Sequence, residues 1–252
     1  HTAFAPALAE ARARGTLLVL DLWAPWCHTC IAMQTEVLTP KLLAAHRDRF
    51  TFAALDTDRP EHAAVLKRYP PQVWPTFYVI DPGTGAVRGR WLGAADRERF
   101  LRFLAEAEAS VDPDDPAGLV RRADRKAAAG RPAEAESLYA RALAAAPAGW
   151  ARRPDVRTHQ ISLRYKLGDH AECAALGAEA LPEALAGATP SAADFVYYLH
   201  ACVTRLPRDA RWAGVLRRAA AGLEAVRAAQ PSKLSVDDRS ELLRVVRQIH
   251  LA

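Results

Sequence analysis

Asp21-Leu22-Trp23-Ala24-Pro25-Trp26-Cys27-His28-Thr29-Cys30 is the stretch on which the reading of this 252-residue chain turns. It finishes the run Thr16 to Trp23, TLLVLDLW, which is apolar almost without interruption and of strand length, the pattern of a strand covered on both faces. Ala24-Pro25 breaks the strand, and helical spacing resumes after Cys27 as far as about Leu38. Two thiols therefore stand one turn apart at the start of a helix. An ordinary cysteine has a pKa of about 8.5 and must lose its proton to attack a disulfide. Bringing that value to about 7 takes roughly 2 kcal/mol, at 1.36 kcal/mol per unit. A helix N-terminus supplies about 0.3–1 kcal/mol through its dipole, up to ~2 when partly buried, and its free amides add hydrogen bonds. Cys27 has both and is the expected nucleophile; Cys30, further in, is the expected resolving thiol. Asp21 lies in the strand beneath. Burial raises the pKa of a carboxyl, which suits Asp21 to accept the Cys30 proton through a water. A buried polar residue without chemistry is the plainer alternative for it.

Working outward, Ala3 to Arg14 reads as a helix ended by Gly15, and Thr39-Pro40 caps another toward Arg49, with proline at the first helical position. Phe50 to Asp56 is a strand and Pro60 to Tyr69 a helix. Phe77 to Ile80 and Ala86 to Trp91 flank Pro82-Gly83-Thr84-Gly85 as a hairpin, and Ala94 to Ala109 closes the unit as a helix. The order predicts an α/β unit, a mixed central sheet flanked by helices.

Placed in that order, the stretch around Cys27 resembles the thioredoxin active-site segment. Val73-Trp74-Pro75-Thr76-Phe77 resembles that family's cis-proline segment, and Gly93 falls where the family has a glycine after the hairpin. The matches keep family order and spacing over roughly residues 1–108. Through Glu36, Pro40, Asp56-Thr57-Asp58 and Trp74-Pro75-Thr76 the pattern is most similar to the C-terminal domain of the thiol:disulfide interchange protein DsbD and its relatives. The resemblance implies a thioredoxin fold, thiol–disulfide oxidoreductase activity without a cofactor, and the roles already given to Cys27, Cys30 and Asp21. It also implies a cis Pro75 opposite the cysteines, leaving residue 74 free to pair with an extended substrate. Before any other residue a cis bond costs about 2.5–4 kcal/mol, so proline is the residue for that place.

Trp74 is bulkier than the family's usual residue there and is expected to shield Cys27 and narrow the substrate range. His28 and Thr29 fill the gap in which the family tunes its reduction potential. A protonated His28 would stabilise the thiolate; an exposed histidine of no consequence is the competing reading. Trp26 joins His28, Thr29 and Trp74 as a candidate substrate contact, with packing the preferred alternative for Trp23 and Trp26.

Composition changes near residue 110, from mixed aliphatic and aromatic runs to Ala, Arg and Leu at helical spacing. The polar stretch Ser110 to Pro116, with two prolines, divides the chain into a thioredoxin-like unit at 1–110, a linker at 111–116 and a helical unit at 117–252. Leu119, Ala123, Gly130, Ala135, Tyr139, Ala142 and Pro147 fit the tetratricopeptide (TPR) pattern. A looser match around Gly168-Asp169 puts Cys173, Gly177 and Ala180 at the small-residue positions. Ser191 to Leu206 and Arg208 to Ala229 make a third pair, and Val236 to Leu251 is expected to cap the stack. The fold class is thus an α/β thioredoxin fold plus an all-α, TPR-like helical repeat domain. Arg121, Arg122, Arg125, Arg157, Arg164, Tyr197 and Tyr198 are candidates for a concave peptide-binding surface, against a solvated charged face for the arginines. Cys173 and Cys202 fall on apolar faces of neighbouring helices, either as two buried thiols or, in an oxidising compartment, as a disulfide.

Half the residues are apolar and a quarter charged, which excludes a mainly disordered chain. The longest aliphatic run, Leu17 to Leu20, stops at Asp21, whereas a spanning helix needs about 20 apolar residues, so no transmembrane segment is expected. The net charge of +5 is spread over both halves rather than gathered on one strip, and no nucleic-acid partner is expected. A structural zinc site takes four ligands and the other two cysteines are distant in sequence, so no metal is expected either. The expected partners are protein thiols and disulfides, and a reductant or oxidant partner protein. The order of a thioredoxin unit and TPR-like helices also looks like the co-chaperone CnoX (YbbN), which makes a client-holding protein the second reading. The intact W-C-x-x-C favours the enzyme, because a holdase has no need of both thiols. The chain opens on His1 and not on methionine, from which a removed leading segment is expected. Together with the DsbD-like pattern this points to a bacterial periplasm, the cytoplasm being the alternative.

Overall fold

The unbroken apolar run at Leu17–Trp23 becomes β1, the strand around which the first half is laid down. A computed structural model describes residues 1–186, 189–229 and 234–251. In it β2 (Phe50–Asp56) pairs parallel with β1 on one side, β3 (Thr76–Ile80) pairs antiparallel on the other, and β4 (Val87–Leu92) continues antiparallel to β3. The sheet order is β2-β1-β3-β4. Alternate side chains go to opposite faces of a strand. Val19, Phe77, Val79 and Trp91 thus enter one core, and Leu18, Leu20, Leu22, Tyr78 and Ile80 the other.

The helices follow from local signals. Helix α1 (Phe4–Arg14) ends at Gly15, whose φ of 65° is the left-handed conformation glycine adopts freely. Helix α2 (His28–Ala32) runs into a π turn at Met33–Val37, where a single regular helix to Leu38 is expected from spacing. The Leu38 amide donates to the Met33 carbonyl at 2.7 Å, and the Thr35 hydroxyl donates back to Ile31 at 2.9 Å, competing with the regular ladder. Helix α3 (Pro40–His46) is capped by the Thr39 side chain, as its Thr-Pro start predicts. Helix α4 (Ala63–Arg68) follows a 3₁₀ turn at Pro60–His62. Helix α5 (Arg97–Glu108) starts three residues later than expected, because the Asp96 carboxylate takes the Arg99 amide at 2.9 Å and makes Asp96 the cap. This is the thioredoxin fold, and an all-helical region follows it.

That region comprises α6 (Pro116–Ala128), α7 (Pro132–Ala145), α8 (Arg153–Leu167), α9 (His170–Ala186), α10 (Ser191–Val203), α11 (Ala210–Ala229) and α12 (Val236–Leu251). Successive helices pack on one another, and small residues let them close: a Cβ at Gly177 would come within 2.7 Å of Leu199 and 2.9 Å of Ile161. Cys173 on α9 and Cys202 on α10 are joined as a disulfide with Cα atoms 6.0 Å apart, so the reading as two separate thiols gives way to the paired one. Helix α12, expected to cap the stack, packs on α10 and α11 and also reaches α2, the helix that carries Cys30.

A buried polar network joins the two regions. Arg90, on β4, is fully buried; its backbone amide donates to Asp124 Oδ2 at 3.0 Å, and its guanidinium to Gln72 and to the Tyr139 hydroxyl at 3.1 Å. The Tyr139 hydroxyl in turn donates to Asp124. His159 lies 3.7 Å from Asp124, and burial takes its pKa down to about 4, so it stays neutral. Arginines read as groove residues are held within the chain. Arg121 is buried and donates to the Glu106 and Ala109 carbonyls at the end of α5, at 2.7 and 2.8 Å. Arg122 pairs with Asp114, Arg157 with Glu183, and Arg164 with Glu136 and Glu172.

Removing one member of a buried ion pair leaves the other charge uncompensated, at a cost of about 3–5 kcal/mol. Asp124→Ala is therefore expected to lower unfolding free energy by that amount in urea titrations. A loss within that of an ordinary surface substitution, about 0.5 kcal/mol, would contradict a joining role.

Candidate active site

Cys27 caps α2: its backbone is extended, with φ −87° and ψ 99°, and its sulfur accepts the Cys30 amide at 3.1 Å. Strand β1 fixes this position, because the chain leaves it at Trp23 and turns through Ala24-Pro25-Trp26 directly into the helix. Cys27 and Cys30 are disulfide-bonded with Cα atoms 5.2 Å apart. Cys27 is 5% exposed and Cys30 1%, with Ala24, Trp23 and Trp74 packed around them. Thr29 Oγ1 lies 3.4 Å from the Cys27 sulfur and donates to the Trp74 carbonyl at 3.4 Å, so Thr29 bridges the cysteine helix and the proline loop.

The Trp74–Pro75 bond is cis. The loop before it is braced by the Thr76 hydroxyl, which donates to the Val73 carbonyl at 2.6 Å and accepts the Gln72 amide at 3.2 Å. Gly93, at φ 76°, donates its amide to the Pro75 carbonyl at 2.8 Å. Trp74 Nε1 donates to the Thr57 hydroxyl at 2.8 Å and Trp26 Nε1 to Asp58 at 2.9 Å, with the two rings 5.3 Å apart. The pair walls the cysteines on the side of the loop after β2. Trp26, for which packing is the preferred sequence reading, is instead 58% exposed at the rim. His28 is exposed at the mouth.

Asp21 sits in β1 at 4% exposure; its Oδ2 accepts the Gln34 amide at 3.2 Å, and its Oδ1 has no partner among the described residues. Burial raises its pKa to about 7, with the Gln34 hydrogen bond opposing. A carboxyl poised there can take or release a proton near neutrality.

The opposite wall comes from the helical region, and none of it is assigned to the site from sequence. A cleft of about 650 Å³ is lined by Cys27 and Trp74 on one side and by residues of α10 and α12, among them Asp194, Tyr197 and Arg244, on the other. The Tyr198 hydroxyl donates to the Gln72 carbonyl at 3.1 Å, tying α10 to the proline loop. Asp194 lies against Gly93; burial, then the nearby Glu241, raises its pKa to about 8, while Arg244 opposes. The one sequence signal for it is an acid set in the otherwise apolar face of Ser191–Val203. Tyr197 and Tyr198, candidates for a concave groove, do line a cleft, but it is the one above the cysteines.

The profile of a family described as thioredoxin-like matches residues 1–82, a span that holds both cysteines and Pro75. No curated protein matches the chain.

The raised Asp21 pKa ties stability to pH. Between the ordinary value of 3.8 and about 7 the folded chain holds a proton that the unfolded chain has released, so this group's contribution is complete at low pH and is lost as pH rises toward 7. Asp21→Asn is expected to remove that loss, gaining about 2–4 kcal/mol over the parent between about pH 4 and pH 8 in urea titrations. Parallel pH profiles for the two proteins would contradict it.

Proposed function

We propose that the chain is a thiol–disulfide oxidoreductase in which Cys27 and Cys30 cycle between dithiol and disulfide. The observation that carries this reading is the bonded pair with the Cys27 sulfur at the start of α2, taking the Cys30 amide at 3.1 Å beside a cleft. In the reducing direction the Cys27 thiolate attacks one sulfur of a substrate disulfide. The substrate S–S bond breaks, a bond between Cys27 and that sulfur forms, and the first substrate thiolate leaves. Cys30 then yields its proton toward Asp21 through a water and attacks the Cys27 sulfur. The mixed disulfide breaks, the Cys27–Cys30 bond forms, and the second substrate thiolate leaves. Two electrons have passed to the substrate, and the dithiol of a reductant partner protein restores the starting state. The reverse sequence oxidises a substrate dithiol.

The substrates are protein thiols and disulfides, presented as an extended segment beside residue 74. The helical region, TPR-like in its first helix pair, recruits the partner, and the redox unit acts in the manner of the DsbD C-terminal domain. A bacterial periplasm is the compartment this reading favours. The buried Cys173–Cys202 pair supports that choice, since structural disulfides persist in oxidising surroundings.

Reduced protein is expected to reduce bis(2-hydroxyethyl) disulfide, and Cys27→Ser to slow it at least about a hundredfold. Cys30→Ser is expected to collect as a mixed disulfide with a disulfide-containing peptide, released by dithiothreitol and visible by intact mass. Exchange that survives Cys27→Ser would overturn the assignment. Suppression of client aggregation that survives loss of both cysteines, without any exchange, would instead favour a holding protein of the CnoX kind.

A further inference from the structure

We propose that α10 and α12 form the specificity wall of the substrate cleft and select a segment that carries a lysine or arginine beside its reacting cysteine, with Asp194 the principal acceptor for that cation. The inference rests on the redox reading of Cys27 and Cys30 and adds to it the chemistry of the substrate.

Position comes first. A Cβ at Gly93 would stand 1.9 Å from Asp194 Oδ2, so the carboxylate lies directly on the Gly93 backbone. Gly93 is hydrogen-bonded to Pro75, and Trp74, the residue before it, packs on the cysteines. Asp194 is therefore placed at the edge of the proline loop, where an extended substrate entering toward Cys27 must pass. Both Asp194 and Cys27 line the same cleft.

The balance of charge comes next. The chain as a whole is basic, at +5, yet the cleft wall gathers Asp194, Asp237, Asp238 and Glu241 against Arg244 and the exposed His28. Arg244 is taken by Glu241 through a two-pronged ion pair, and its guanidinium lies 5.7 Å from the Tyr197 ring centre. Asp194 is half-buried, and among the described residues the charges beside its carboxylate act through space without a hydrogen bond to it. Asp238 supplies a second, separate sign of an unmet donor. It is 9% exposed, its Oδ2 accepts the Ser235 amide at 3.0 Å, and its buried Oδ1 has no partner among the described residues. Buried acceptors are ordinarily paired, and acceptors of negative charge pair best with ammonium or guanidinium donors.

The test compares three substrates with the reduced full chain: bis(2-hydroxyethyl) disulfide as a neutral reference, and two peptides of one sequence. In each peptide the single cysteine is capped as its 2-hydroxyethyl mixed disulfide, flanked by lysines in one and by glutamates in the other. The lysine peptide is expected to react about tenfold or more faster than the glutamate peptide at low salt, the ratio narrowing in about 0.5 M salt. Dividing each rate by that of dithiothreitol on the same peptide removes the peptides' own reactivity. Asp194→Asn is expected to cut the ratio about threefold or more, and Asp194→Asn with Glu241→Gln to bring it to about two or less. Equal rates on the two peptides, or a preference that Asp194→Asn leaves intact, would overturn the proposal while the redox reading stands. Failure to reduce the neutral disulfide would bring down the redox reading itself, and this proposal with it.

Discussion

A sulfur that is to carry charge at neutral pH needs a place where the backbone offers unpaired amides. The N-cap of α2 is such a place, and the 3.1 Å contact from the Cys30 amide to the Cys27 sulfur is the interaction on which the site depends. The rest of the first half serves to hold it. Strand β1 brings the chain to that point between two neighbours, the cis Trp74–Pro75 loop closes over the pair, and Thr29 links the two. Asp21 belongs to the same strand, so a single element sets both the buried carboxyl and the approach to the cysteines.

The helical half bears on the same chemistry. Arg90 anchors it to β4 through Asp124 and Tyr139, and the Tyr198 hydroxyl anchors α10 to the proline loop. The Cys173–Cys202 bond fastens α10, which carries Asp194, to α9. These restraints hold the second wall of the cleft beside the cysteines. The cysteine pair thus lies in a slot between two parts of the chain, with Trp26 and Trp74 at one side and an acidic helical wall at the other.

Local signals made much of this legible from sequence. The run TLLVLDLW, the Thr39-Pro40 cap, the hairpin at Pro82 to Gly85 and the W-C-x-x-C at a helix start each depend on residues within a few positions of one another, and each appears where the sequence puts it. What escaped depends on partners distant in the chain. Arg90 reads as an ordinary strand residue, because Asp124 and Tyr139, which pay for its burial, lie one and two helices further on. Spacing alone left two states open for Cys173 and Cys202, and only the packing of α9 on α10 joins them. Helix α12 has the periodicity of a capping helix, and nothing in that periodicity tells that it returns to α2. The same holds for Asp194, which meets Gly93 from a distant part of the chain.

In the proposed reading the Cys27 sulfur ionises more readily than an ordinary thiol. The rate at which iodoacetamide alkylates Cys27 in the reduced protein, followed against pH by mass spectrometry of the peptide that contains it, measures that directly. A midpoint at about 7 or below is expected for Cys27, with Cys30 reacting only at higher pH. Midpoints at about 8.5 or above for both thiols would contradict it.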